Sequence, residues 1–187
     1  MITMFRQLET ERLQLTKFQE CDIDGYTLLL TDSSTHPFIV ENGPIDPNVV
    51  ASRIRRIRIV SESGSTLYWT IWLKSFGEYV GYVALHATNT ALPVLSYAVV
   101  PNSRRQGFAS EAIRAVVEFA IGDLQKNTVL ARVHLNNHAS CALLEANDFN
   151  RIGTIDWYSS KRLEFSLKGT TGSADIQQVE RKRIEQE

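Results

Sequence analysis

Apolar and polar positions alternate first at RLQLTKF, residues 12–18, where Leu13 and Leu15 face one way and Gln14 and Thr16 the other. A period of two predicts a strand. The next segment, CDIDGYTLLLTDSS, predicts a helix that breaks at its polar end. His36 to Asn48 holds three prolines and a glycine, which predicts an irregular loop of the kind that borders binding sites. PNVVASRIRRIRIVSES then predicts a second helix, with Pro47 and Asn48 at its start. In TLYWTIWLK both alternating sets are bulky, Leu67, Trp69, Ile71 and Leu73 against Tyr68, Thr70 and Trp72. That strand is expected to be covered on both faces. Short turns, SFGE and TNTALP, join it to EYVGYVALHA and VLSYAVV, so the three strands predict an antiparallel meander.

Beyond this meander, Ile113, Val116, Val117, Ala120, Ile121 and Leu124 recur at helical spacing. TVLARVHL predicts another strand and NNHASCALLEANDF a short helix with an asparagine cap. RIGTIDWY and KRLEFSLKG predict a closing strand pair. The order β-α-α-β-β-β-α-β-α-β-β describes an α/β (α+β) chain with a mixed, mostly antiparallel, seven-stranded sheet and about four helices. The strand–helix–strand unit over residues 94–135 predicts one parallel crossover. No repeat or internal linker divides residues 1–168, which are expected to form one domain. The Gly/Thr/Ser break from Gly169 and the charged residues to Glu187 predict a peripheral or disordered tail.

Composition narrows the function classes. The 187 residues are 43% hydrophobic and 22% charged, with a formal charge of −1. A chain whose main role is to coat nucleic acid would need a basic surface. The two cysteines, Cys21 and Cys141, show no disulfide spacing, and the N-terminus has no apolar signal core. A cytoplasmic protein without a membrane span or a direct nucleic-acid role is expected, as a monomer or homodimer.

Candidate chemistry gathers at VVPNSRRQGFASEAI, residues 99–113. A helix start offers free N–H groups and a positive dipole end. Gly107 allows close approach to the backbone, Arg104 and Arg105 add charge, and Ser110 adds a hydroxyl. The set suits a phosphate or pyrophosphate. A solvated connection is the plain alternative. No G-x-x-x-x-G-K-[ST] and no G-x-G-x-x-G occurs, so the two commonest nucleotide loops are excluded.

The same stretch resembles the acyl-CoA loop of the GCN5-related N-acetyltransferase (GNAT) family, with Arg104, Gly107 and Ala109 filling its [QR]-x-x-G-x-[GA] pattern. Asn137 and Ser140 match the family's later Asn-x-x-Ser segment, and LETERLQL near the start is similar to the RimJ/RimL-like ribosomal-protein branch. The resemblance covers about residues 8–168 and implies a GNAT-like acyl-CoA N-acyltransferase fold. It implies acetyl-CoA as co-substrate; that no metal is expected rests on the spacing of the candidate ligands. A pyrophosphate would rest on the amides from Arg105 through Gln106, Gly107 and Phe108 to Ala109, with Arg104 and Ser110 nearby. The pantetheine arm would pair beside Ala98, Val99 and Val100, with a backbone N–H near Val99 polarising the thioester. Asn137 and Ser140 would contact its end, and Ser140 would serve the departing thiolate. The implied reaction is direct acetylation of a primary amine, above all a protein or peptide N-terminus. A small-molecule amine (polyamine, amino sugar or antibiotic) and a non-catalytic acyl-CoA-binding module are the alternatives. Three positions depart from the family pattern: Arg105 where many members have glycine, Asp148 before Phe149 where Gly-Phe is common, and Leu144 where a tyrosine acid is frequent.

No carboxylate stands in ALPVLSYAVV to act as base, which leaves Tyr97, His86, a water chain or a carboxylate such as Glu41. An α-amine with pKa near 8 is about 10% neutral at pH 7, at a cost of about 1.4 kcal/mol, whereas a lysine amine costs about 4–5 kcal/mol. A site without an evident base therefore favours an α-amine. His134 and His138 lack the further ligands that a zinc site requires. Cys141 reads as a small packed residue rather than a nucleophile. Arg53, Arg55, Arg56 and Arg58 predict a solvated helix face, or a basic wall for an acidic acceptor. Trp69, Trp72 and Trp157 predict core and sheet-face positions.

Overall fold

Strand pairing follows the predicted order closely in the computed structural model, which describes residues 5–35, 38, 47–157 and 160–169. The strands are β1 (Leu8–Glu9), β2 (Leu13–Lys17), β3 (Thr66–Leu73), β4 (Tyr79–His86), β5 (Val94–Val99), β6 (Thr128–His134), β7 (Asn150–Trp157) and β8 (Ser160–Lys168). The α-helices among the described residues are α1 (Ile23–Thr31), α2 (Pro47–Glu62), α3 (Phe108–Gly122) and α4 (His138–Glu145). One mixed sheet runs β1-β2-β3-β4-β5-β6-β8-β7. Its eighth strand, β1, adds to the seven expected. Two residues are too few to show alternation, and β1 exists because Leu8 and Glu9 pair with Leu15 and Gln14. The first helix also begins later than its sequence pattern, after a 3-10 turn at Glu20–Asp22.

Alternation along each strand sends side chains to two cores. Leu13, Leu15, Trp69, Ile71, Val83, Leu85 and Phe165 pack with Ile113, Val116 and Phe119 of α3. On the opposite face, Tyr82, Ala84, Ala98 and Val100 pack with Tyr26 and Leu29 of α1 and with Ile54 and Ile57 of α2. α1 lies very close to the sheet at Gly25, where an added Cβ would stand 2.4 Å from the Tyr79 ring. On α2, Arg55, Arg56 and Arg58 are exposed as expected, but so is Ile59, at 60%. Trp69 is fully buried and its Nε1 donates to the Arg6 carbonyl, while Trp157 lies under the Arg132 guanidinium. Among the described residues no helix is long and apolar enough to cross a membrane.

One junction positions the site. β5 and β6 are parallel and in register only at Val94↔Leu130 and Leu95↔Ala131. β6 continues along β8 through His134, and β5 continues along β4 through Val99. The two strands therefore splay after Leu95, inside the sheet rather than at its edge. The tail beyond Gly169, and Glu41 in the loop before α2, lie outside the described residues.

Candidate active site

Hydrogen-bond parity decides which backbone groups face the gap. Val100 N–H donates to the Val80 carbonyl across the β4–β5 ladder at 2.9 Å. In an antiparallel pair such bonds alternate residue by residue. Ala98 and Ser96 thus turn to β4 with Val100, and the amides and carbonyls of Tyr97 and Val99 turn toward the gap. Of the three residues expected to receive an extra strand, only Val99 offers its backbone to the open side. Tyr97 joins it, a residue that sequence reasoning proposed only for its side chain.

The loop after β5 makes a 3-10 turn at Pro101–Ser103, continues extended at Arg104, and enters left-handed backbone at Arg105 (φ 59°) and Gly107 (φ 82°). Gly107 is the N-cap of α3. Among the described residues, the N–H groups from Arg105 to Ser110 have no backbone acceptor, the Glu111 N–H being the first to bond back, to the Gly107 carbonyl. Successive free amides in left-handed turns at a helix start make a concavity suited to an anion. Phe108 is buried beneath this loop, and Arg105 and Gln106 are exposed.

Arg104 is engaged elsewhere. Its Nε donates to the Val99 carbonyl at 3.2 Å, Nη1 to Ser34 Oγ at 2.7 Å, and Nη2 to Asp32 and Thr35. Hydrogen bonds from Ser34 and Thr35, together with Arg104, hold the Asp32 carboxyl down at about 2. Arg104 thus ties the end of α1 to the strand at the gap. The Ser110 hydroxyl is similarly committed, donating to Asn147 Oδ1 at 2.7 Å. Neither partner is near in sequence, so neither engagement was readable there.

On the other side of the gap, Asn137 caps α4 by accepting from the Ser140 N–H at 3.1 Å. This places Ser140 Oγ 2.6 Å from the Tyr97 hydroxyl. The two residues named from sequence for the chemistry come together across the opening. Burial pushes the Tyr97 phenol far above its ordinary range. On the opposite sheet face, His86 Nε2 lies 2.7 Å from Ser96 Oγ, and burial pushes its imidazole down to about 4. Burial, with Glu145 nearby, also raises the Cys141 thiol. Phe38 stacks at a tilt on His134, at the end of β6, with ring centroids 5.8 Å apart.

The sequence pattern assigns no role to Thr10 or Arg12, yet both meet Glu111, just after the loop pattern, beside Gly107. Arg12 Nε donates to Glu111 Oε2 at 2.7 Å, the Thr10 hydroxyl donates to Glu111, and Arg12 Nη1 donates to the Gln106 carbonyl at 2.9 Å. The run LETERLQL carries only a likeness to the RimJ/RimL-like branch, with no role for Arg12.

Comparison with known proteins agrees with this architecture. Residues 12–150 match the family model described as an acetyltransferase (GNAT) domain. The uncharacterised N-acetyltransferase YoaA of Bacillus subtilis is 27% identical over 158 residues, covering 83% of this chain and 89% of YoaA. Mycobacterium smegmatis RimJ, solved with a CoA disulfide, superposes with a TM-score of 0.74 at 20% identity, covering 91% of this chain and 90% of RimJ. RimL, a ribosomal α-N-protein acetyltransferase solved with coenzyme A, superposes with a TM-score of 0.75 at 12% identity, covering 87% of this chain and 98% of RimL. With a family match over most of its length and the splayed sheet and helix-start loop in place, the chain belongs to the GNAT family of acetyltransferases.

Proposed function

We propose that this acetyltransferase uses acetyl-CoA to acetylate the N-terminal α-amine of a protein or peptide. The observation that carries the reading is the splay of β5 from β6, open beside Tyr97 and Val99, with the free amides of residues 105–110 at one end and the Tyr97–Ser140 pair across it. The residues fit the co-substrate. A left-handed glycine and unsatisfied amides suit a pyrophosphate, and a strand edge suits the amide-bearing pantetheine arm. When bound, acetyl-CoA would supply an activated acyl thioester.

The chain's own groups then have distinct tasks. A gap-facing N–H at Tyr97 or Val99 stabilises charge developing on the thioester oxygen. Ser140 Oγ–H donates to the leaving sulfur, and the Tyr97 hydroxyl, which holds its proton firmly, donates to Ser140 in turn. No step uses Cys141, whose raised thiol disfavours an acyl-enzyme.

Basicity favours the α-amine. Tyr97 keeps its proton, and an imidazole near 4 is a poor acceptor from an alkylammonium. With neither of these as base, entry as the neutral amine or loss of the proton to water costs an α-amine about 3 kcal/mol less than a lysine. RimL, whose name describes α-N-protein acetylation, shares the fold. Free-thiol release measured across peptides, Nα-blocked lysine peptides, polyamines and amino sugars tests this. Free N-termini should turn over fastest, with kcat/KM rising with pH and levelling near about 8. Preference for a polyamine or amino sugar would overturn the acceptor. Binding of acetyl-CoA without turnover of any amine would overturn catalysis.

A further inference from the structure

Arg12 touches the anion loop from behind. Its guanidinium makes two contacts to Glu111, lies 4.6 Å over the Phe108 ring, and reaches the Gln106 carbonyl at 2.9 Å. A Cβ at Gly107 would sit 3.2 Å from Arg12 Nη2, so guanidinium and loop are in direct contact. The peptide joining Gln106 to Gly107 is planar and trans, so its C=O and N–H point in opposite directions. A donor that fixes the Gln106 carbonyl therefore also fixes the Gly107 N–H, and turns it away from Arg12.

Glu111 creates a second need. It stands in the first turn of α3, where its negative charge would repel a phosphate arriving at the helix start. Burial alone would raise this carboxyl, but bonds from Thr10 and Arg12 outweigh that and hold it below its ordinary value. Glu111 is thus ionised, and the Arg12 cation 2.7 Å away compensates its charge. Lysine could not replace the planar fork, which serves two acceptors on different elements at once.

We infer that Arg12 is the positioning residue of the anion loop: through the Gln106 carbonyl it aims the Gly107 N–H at the pyrophosphate, while it neutralises Glu111 at the helix start. This rests on the acyl-CoA reading above. Its test compares Arg12→Gln and Arg12→Lys with the unaltered chain, using calorimetric Kd for acetyl-CoA and NMR titration with S-acetyl-pantetheine, which lacks the pyrophosphate. Both variants should lose acetyl-CoA affinity by about tenfold or more, with S-acetyl-pantetheine affinity kept within about twofold. Equal loss for both ligands would make Arg12 merely structural and overturn the inference, as would unchanged acetyl-CoA binding in either folded variant. Failure of the unaltered chain to bind acetyl-CoA would instead overturn the co-substrate reading.

Discussion

Arg105 sits at φ 59°, in the left-handed region that favours glycine. This gives a physical reason for the glycine that many GNAT members carry there: a side chain at that backbone costs about 1–2 kcal/mol. A glycine would recover that cost and return part of it as greater freedom in the unfolded chain. Arg105→Gly should therefore be more stable than Arg105→Ala by about 0.5–1 kcal/mol in urea unfolding, since alanine keeps the strain. Equal stabilities would mean that the loop relaxes out of the left-handed turn. The arginine itself is exposed, so it is available to an incoming anion at the mouth of the loop.

Pairing between elements explains most of what was and was not legible in the sequence. Leu13 and Leu15, the bulky faces of β3 and the Ile113–Leu124 repeat are local periodicities, and each led to the right element. The gap was not local. It depends on β6 leaving β5 after Ala131 to stay with β8, which no window around Val94–Val99 shows. The spacing of Arg104 suggests a cation for phosphate; that its guanidinium also reaches Asp32 at the end of α1, 72 positions away, is visible only in the fold. Ser140 comes from the Asn-x-x-Ser resemblance and Tyr97 from the search for a base on β5, and the fold joins β5 to α4 through their hydroxyls. Ser140→Ala should therefore lower kcat by about tenfold or more, with acetyl-CoA Kd changed by less than about twofold. Equal losses in kcat and affinity would assign Ser140 to binding instead.

At the scale of the whole molecule, the sheet consists of two ladders, β1 to β5 and β6 to β8, joined by two residue pairs and the connecting α3. A ligand that bonds along β5 and rests on the start of α3 would bridge these parts and favour the folded state. Acetyl-CoA at 100 times its Kd should add about 2.7 kcal/mol, which for a chain of this size is a Tm rise on the order of 5–10 °C by calorimetry. S-acetyl-pantetheine at the same concentration should raise Tm far less. No rise with millimolar acetyl-CoA would remove it as the co-substrate.

The gap also bears on self-association. Exposed strand edges invite other chains to add strands, and proteins usually blunt them with charge, proline or cover. Here the unpaired stretch of β5 lies between two walls and closes at Val94 and Leu95. It is a blind alley: a single slender chain can enter from the open end, but a second sheet cannot stack alongside. That stretch of β5 thus stays free for recognition without itself offering a template for aggregation.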